Sequence, residues 1–468
     1  MSGLFNSLNS TVMALNAHSR AIETTGKNLA NVNNPAYARQ RIIYGDRGTI
    51  VTADGAESLG MEALGVQQLR DALLDRQVMR EAALSASFSA EQNGYQRAQA
   101  ALGQSIDRAA ATTGTGASGI AAAIDEFFNA FQSFAVRPTD AGERQSLLQK
   151  SSILTDRIQL VDQRLAQVQT DLDAQVTSDV ADVNRLLSTI ADLNSQIGRF
   201  EVNAPGSAVD LRDQRQARLE ELAAKIPVEI RDQSGGQVQI VAKDGGGSDV
   251  VLVDRTSTTG AVTFDGVQLS AGSPATALAP ASGAIKGSLT ARDGAVQSLR
   301  NDLDLLARQL VTSVNDAYNP TGATGDFFTA AGTTAGTVAL ASTLTSTNLK
   351  ASDGGPAGDN TIALAIARLG SQAFSTSSGD SIDGTFGGFF SQTVSKLGQA
   401  LSGANARVDD QANIAKLIRS QRDAVSGVSL DEEMADLMKY QRAFQASSRV
   451  FQTVDDLLDV VVNRLGHA

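Results

Sequence analysis

Residues 427–465 read GVSLDEEMADLMKYQRAFQASSRVFQTVDDLLDVVVNRL, and the fold turns on them. Alternate steps of four and three from Leu430 reach Met434, Leu437, Gln441, Phe444, Ser448, Phe451, Asp455, Leu458, Val462 and Leu465. That spacing lays one mostly apolar stripe along a helix about ten turns long. No proline or glycine after Gly427 breaks it before Leu465. Ser429 and Glu432 have the capping-box spacing, in which hydroxyl and carboxylate satisfy each other's backbone N–H groups. So long a helix, striped on one side, must lie against something.

The other end of the chain supplies a partner. Leu4, Leu8, Thr11, Leu15, His18, Ile22, Thr25, Leu29 and Val32 follow the same steps, which predicts an amphipathic helix over 4–32. It stops at Asn31-Val32-Asn33-Asn34-Pro35, where asparagine can turn the chain and proline cannot continue it. The two terminal seams predict a coiled-coil-like helical pair. Thr11, His18 and Thr25 fall seven apart, as do Gln441, Ser448 and Asp455. Polar layers of this kind weaken a coiled coil while fixing its register. The expectation is a pair that is marginal alone and orders when further copies pack around it.

Between the ends the texture alternates. Residues 37–66 are β-like, with strand candidates at 41–44 and 65–66; 69–105 and 120–136 read as helix. From Leu147 a strict seam runs through Ser151, Leu154, Ile158, Val161, Leu165, Val168 and Leu172. It continues through Val176, Val180, Val183, Leu187, Ile190, Leu193 and Ile197, with a stutter at 168–180. This is one long rod helix or two end to end. A short helix over 210–226 ends at Pro227. Short β-branched runs at 228–231, 238–242, 250–254, 261–264 and 267–269 then alternate with glycine turns. Residues 288–318 and 386–425 return to helix, and 320–383 form an irregular insert with a short helix over 359–369. The fold class is therefore mainly α with β-rich inserts. Its expected domains are a terminal helical assembly domain (1–40 plus 427–468), a helical rod (41–226 plus 286–426, carrying the insert 320–383), and a β-rich outer module (227–285).

Composition narrows the function. With 468 residues the chain should hold two to four domains, and its apolar content of 42% contains only 4% aromatics and no tryptophan. That balance suits packed helices and β-modules better than a deep ligand pocket. The net charge of −12, without a basic block, argues against nucleic acid and anionic membranes as partners. There is no cysteine, hence no disulfide, thiolate metal site or cysteine catalysis, as suits a protein that crosses compartments unfolded. The first residues carry no basic region followed by a compact apolar run, so the usual signal-peptide route is not expected.

Catalytic patterns fail. Gly114, Gly116 and Gly119 formally match GxGxxG, but Ala-Ala-Thr-Thr precedes them where a buried strand should be, and a linker is the better reading. His18 and His467, the two histidines, stand at opposite ends. Asp244 to Asp249 (DGGGSD) lacks the distal glutamate of a calcium loop and reads as a hairpin turn. Asp431, Glu432, Glu433 and Asp436 suit the first turns of a helix without any ligand. No catalytic, cofactor-binding or metal residue is expected.

These residues resemble the bacterial flagellar axial proteins. Ala30-Asn31-Val32-Asn33-Asn34-Pro35-Ala36-Tyr37 is similar to the A-N-x-x-T-P-G-Y motif shared by rod, hook and junction proteins, with Asn34 for Thr and Ala36 for Gly. Leu430-Asp431-Glu432-Glu433-Met434-Ala435, Lys439-Tyr440-Gln441 and Ala443-Phe444-Gln445-Ala446-Ser447-Ser448-Arg449-Val450 resemble the hook-associated protein 1 family, which usually has Tyr where Phe444 stands. Asp210-Leu211-Arg212-Asp213-Gln214-Arg215 is similar to that family's L-x-D-Q-R stretch. The resemblance implies export through the flagellar type III apparatus and a place in the extracellular flagellum at the hook–filament junction. It implies hook protein, the second junction protein and further copies of the chain as partners, with a cytoplasmic chaperone on the C-terminal helix. The implied assembly interface comprises Leu4, Leu8, Leu15, Ile22, Leu29, Asn31, Pro35, Tyr37, Leu430, Met434, Leu437, Tyr440, Gln441, Phe444, Ser448, Phe451, Leu458, Val462 and Leu465. A hook or rod protein, or a non-flagellar coiled-coil scaffold, is the alternative.

Overall fold

A computed structural model describes residues 2–52, 55–103, 119–322, 325–356 and 358–460, and the backbone alone for residues 2–4, 50, 52, 57 and 58. Val462, Leu465, His467, the side chain of Leu4 and most of the Gly114–Gly119 match lie outside what it describes. The N-terminal stripe is helix α1 (Ser2–Ala30), followed by strands β1 (Gln40–Asp46), β2 (Thr49–Thr52), β3 (Gly55–Ser58) and β4 (Met61–Gln68). Helices α2 (Ala72–Leu102), α3 (Ile120–Val136), α4 (Ala141–Phe200) and α5 (Val209–Lys225) come next. Strands β5 (Glu229–Asp232), β6 (Val238–Lys243), β7 (Asp249–Asp254), β8 (Ser257–Thr258), β9 (Thr263–Phe264), β10 (Leu269–Ala271) and β11 (Thr276–Leu278) make the β-rich module. Helix α6 (Ala284–Ala291) passes through a π turn (Arg292–Val296) into α7 (Gln297–Tyr318); α8 (Thr361–Leu369), α9 (Phe386–Ser426) and α10 (Leu430–Asp459) complete the order. Among the described residues no helix is long and apolar enough to cross a membrane.

Chain contacts divide these elements into two units, Met1–Ser85 with Val180–Gly283 and Gln411–Ala468, and Ala86–Asp179 with Ala284–Asp410. The heptad seam from Leu147 to Ile197 belongs to the single helix α4, and every one of its positions is buried. Its period therefore reports the core face, stutter included.

In the first unit α1 lies along α10, and β1 pairs antiparallel with β4 beside α1. In the module β5, β6, β7 and β8 form an antiparallel meander, and β9, β10 and β11 a second small sheet. The DGGGSD run is the β6–β7 turn: the Asp244 carboxylate accepts from the amides of Gly246 and Ser248 at 2.9 and 2.7 Å. The strand expected at 267–269 is shifted. Asp265 takes the amides of Val267 and Gln268 into a turn at 2.8 and 2.7 Å, so Val267 stays exposed and β10 starts at Leu269.

The second unit shows 320–383 as an irregular stretch with one short helix, α8, where a helix over 359–369 was expected, and the stretch also supplies core. That glycine- and serine-rich stretch carries no period, yet its Phe327, Phe328, Val338, Leu349, Ile362, Ile366, Phe374 and Ile382 are buried core. They close over α3, whose Phe127, Phe128, Phe131 and Phe134 share its inner face. The Phe127 ring lies 5.1 Å from Phe131 and 6.0 Å from Phe327; Phe128 stacks on Phe386 at 5.5 Å. Edge-to-face and offset rings of this kind bury large area in defined geometry. Between α4 and α7, Arg300 grips Asp162 at 2.8 and 3.3 Å.

The corner between α4 and α5 is held by one buried carboxylate. Glu201 accepts from Arg212 Nε and Nη2 at 2.8 and 2.7 Å and from the Ala208 amide at 3.2 Å. Burial pushes its pKa up, but Arg212 and the backbone amides outweigh that and hold it below its ordinary 4.5. A depressed carboxyl contributes stability that is present above 4.5 and lost as the pH falls through the lower folded-state value. Glu201→Gln should therefore cost about 2 kcal/mol at neutral pH, and the deficit should close as the pH drops below 4.5. Denaturant melts of both proteins across that range check this; a pH-independent deficit would contradict it.

Candidate assembly site

The end of α1 is built around a buried asparagine. Asn28, 1% exposed, uses its whole amide: Nδ2 donates to Gln40 O and Glu433 Oε2, both at 2.9 Å. Oδ1 accepts from the Tyr37 hydroxyl at 2.9 Å and the Gln40 amide at 3.0 Å. Two donors and two lone pairs are thus filled. Glu433, 2% exposed, takes the Arg39 Nε on its other oxygen at 2.7 Å, and Arg39 Nη1 reaches Glu432 at 2.7 Å. Burial of Tyr37, with Asp213, Asp210 and Glu433 nearby, pushes the phenol pKa well above its usual range, so it remains a hydrogen-bond donor.

The capping box is therefore half made. The Ser429 side chain accepts from the Glu432 amide, but the Glu432 carboxylate turns to Arg39 instead of back to Ser429. Asp431 to Asp436, expected to be explained by helix position alone, include a buried ion-pair partner.

A second layer ties the same turn to α5. Arg70 Nη2 donates to Ala36 O and Asp213 Oδ1, both at 2.5 Å, and Nη1 to Asp75 at 3.1 Å. Gln40 Nε2 donates to Asp210 at 3.0 Å, and Arg422 Nη2 to Pro35 O at 2.8 Å. Asn34, where related motifs have Thr, accepts from the Ala36 amide at 3.2 Å and closes the turn as an Asx turn. Ala36 needs no glycine: Arg255 is the only non-glycine residue at positive φ among the described residues. The turn stands between two grooves, one of about 500 Å³ against Asp423 to Glu432 and one of about 600 Å³ against Asp210 to Arg218.

Asn28 meets the first turn of α10, so the two helices run antiparallel, and the buried residues coincide with the predicted seams at some positions and lie beside them at others. In α1 the buried residues are Thr11, Ala17, Ala21, Thr24, Thr25 and Asn28; Leu8, Leu15, His18, Ile22 and Leu29 are half-buried on one flank. In α10 the inner column is Glu433, Tyr440, Ser447 and Val454, joined by Leu437, Phe451 and Leu458. Leu430, Met434, Gln441, Phe444 and Asp455 are exposed, and Ser448 is half-buried. Of the expected polar layers, Thr11 and Thr25 are buried, His18 and Ser448 half-buried, and Gln441 and Asp455 exposed. Ala17 and Ala21, small side chains, are almost fully buried on α1. Thr11 and Thr24 return their hydroxyls to Ser7 O and Arg20 O at 2.7 and 2.9 Å, so they need nothing from α10. Asn31 and Tyr37 are half-buried and Pro35 exposed. Burial pushes His18 below its ordinary 6.5, and its Nδ1 lacks a hydrogen-bond partner.

Tyr44 on β1 bonds Tyr440, and burial together with Tyr440 and Asp436 pushes it up to about 12. Sequence reasoning missed Asn28, Arg39, Glu433, Arg70 and Asp213 as one network. Its trace was present: Thr24, Thr25 and Asn28 crowd polar groups onto one face just before the asparagine turn. Among the described residues no group of three or more His, Asp or Glu side chains is placed to hold a metal ion.

Residues 106–328 match the family model described as the flagellar hook-associated protein FlgK helical domain, and residues 419–465 that of the flagellar basal body rod FlgEFG protein C-terminal. The chain is 25% identical to flagellar hook-associated protein 1 of Bacillus subtilis, over 100% of this chain and 99% of that protein. It is 24% identical to the protein of the same name from Escherichia coli, over 97% and 99%. The flagellar hook junction protein FlgK from Burkholderia pseudomallei aligns in structure with a TM-score of 0.46 at 20% identity, covering 54% of this chain and 46% of that one.

Asn28→Asp keeps the shape and removes both donors, setting a second carboxylate against Glu433. An uncompensated buried charge costs on the order of 3–5 kcal/mol. Limited proteolysis of the dilute chain should then trim both termini far faster than in the unsubstituted protein. Equal trimming rates would rule out the network as the tie between chain ends.

Proposed function

We propose, from this chain's end-to-end similarity to flagellar hook-associated protein 1, that it is a structural part of the bacterial flagellum and forms the junction between hook and filament. The observation that carries this reading is the convergence at Asn28. The asparagine–proline turn, the first turn of α10 and the start of α5 are the three stretches that resemble axial proteins, and one hydrogen-bond network joins them. The match over 419–465 is common to axial proteins; the helical-domain match over 106–328 favours the junction protein.

The mechanism is mechanical, and the chain catalyses no reaction. It is exported to the extracellular flagellum. There hook protein lies on one side, the second junction protein on the other, and further copies of the chain complete a ring. α1 and α10 form the assembly domain, and the β-rich module faces outward. The apolar residues left outside the α1 contact, among them Leu430, Met434, Met438 and Phe444, await those copies. Before export a cytoplasmic chaperone covers the same helix.

Deleting residues 430–468 tests this reading. The expected phenotype is bare hooks, with filament subunits shed into the medium. Cells that swim normally after that deletion would refute it.

A further inference from the structure

The β-rich module is joined to α4 by more than apolar packing. Asn194, fully buried on α4, donates Nδ2 to Val238 O at 2.8 Å and to Arg255 O at 2.6 Å. Its Oδ1 accepts from the Val238 amide at 3.3 Å and from Arg215 Nη1 at 2.8 Å. Arg215 also donates to Gly236 O at 2.7 Å. Ten residues earlier on α4, Asn184 repeats the device: Nδ2 to Val262 O and Oδ1 from the Val262 amide, both at 2.8 Å. Each asparagine thus pairs with the N–H and the C=O of one residue, as a neighbouring strand would. Arg255, at φ 55, offers its carbonyl from a left-handed conformation that the surrounding contacts must hold.

We infer that Asn184 and Asn194 mount the β-rich module on α4 as a fixed arm, so that load on the module passes directly into the helix. A module tethered only by its chain ends would need neither residue. The inference concerns the attachment alone and stands or falls independently of the flagellar role.

The absence of native cysteine makes the test clean. Ser188 on α4 and Ser248 at the β6–β7 turn are exposed and take spin labels through Ser188→Cys and Ser248→Cys in the full chain. One narrow distance distribution is expected. Asn184→Ala with Asn194→Ala should broaden it and speed exchange of the Val262 amide about tenfold or more, while the Ile240 and Val253 amides at the sheet centre stay protected. If the double variant loses that protection, the single Asn184→Ala decides by the same two readouts. A broad distribution in the otherwise unsubstituted chain, or a narrow one unchanged by the substitutions, would overturn the fixed arm.

Discussion

A buried amide that spends all four of its hydrogen bonds is a strict local constraint, and Asn28 is such a group. Its position fixes where the chain leaves α1, because Gln40 must present both its N–H and its C=O. It also fixes where α10 begins, because Glu433 enters a site almost closed to water and must bring Arg39 with it. Removing a partner from such a set leaves desolvated groups behind, and that penalty exceeds the net gain of making the bonds. Chain ends more than 400 residues apart, Asn28 and Glu433 being 405 apart, thereby acquire one register.

The contact along the helices is lean by comparison. The residues buried along α1 are Ala17, Ala21, Thr24 and Thr25, those turned inward on α10 include Tyr440, Ser447 and Val454, and Leu430, Met434 and Phe444 are exposed. Such a pair has its register set by polar groups at one end and little apolar burial along its length. The leucine flank of α1 is half-buried, and the methionine flank of α10 is exposed.

The helices were legible in the sequence wherever one face alone is buried. The seam of α4 needed no correction, since its fifteen buried positions follow a period that only a core-facing stripe produces. In α1 and α10 the inward residues follow the apolar stripe at Thr11, Thr25, Leu437, Phe451 and Leu458 but depart from it at Ala17, Ala21, Asn28 and Glu433, where small or hydrogen-bonded side chains fill the interior. The β-rich module showed in its turns, although Asp265 moved one strand. In residues 320–383 the short helix α8 was legible, but the core role of Phe327, Phe328, Val338, Leu349, Phe374 and Ile382 was not, because core residues scattered on loops have no period to detect. The pairs Phe127–Phe128 and Phe327–Phe328 were the available signal, and an aromatic content of 4% concealed how tightly those rings cluster. Of the site, the turn and the cap were visible. The pairing of Asn28 with Glu433 was not, because nothing local relates residues so far apart.

A double-mutant cycle tests the central claim most directly. Asn28→Ala, Glu433→Ala and their combination would be compared by native-state hydrogen exchange at the amides of α1 and α10 in dilute chain, which reports the opening free energy of that pair alone. If the two groups act as one buried unit, the double variant should lose less than the sum of the singles, with a coupling of about 1–3 kcal/mol. Strict additivity, with each substitution affecting only its own helix, would contradict the account.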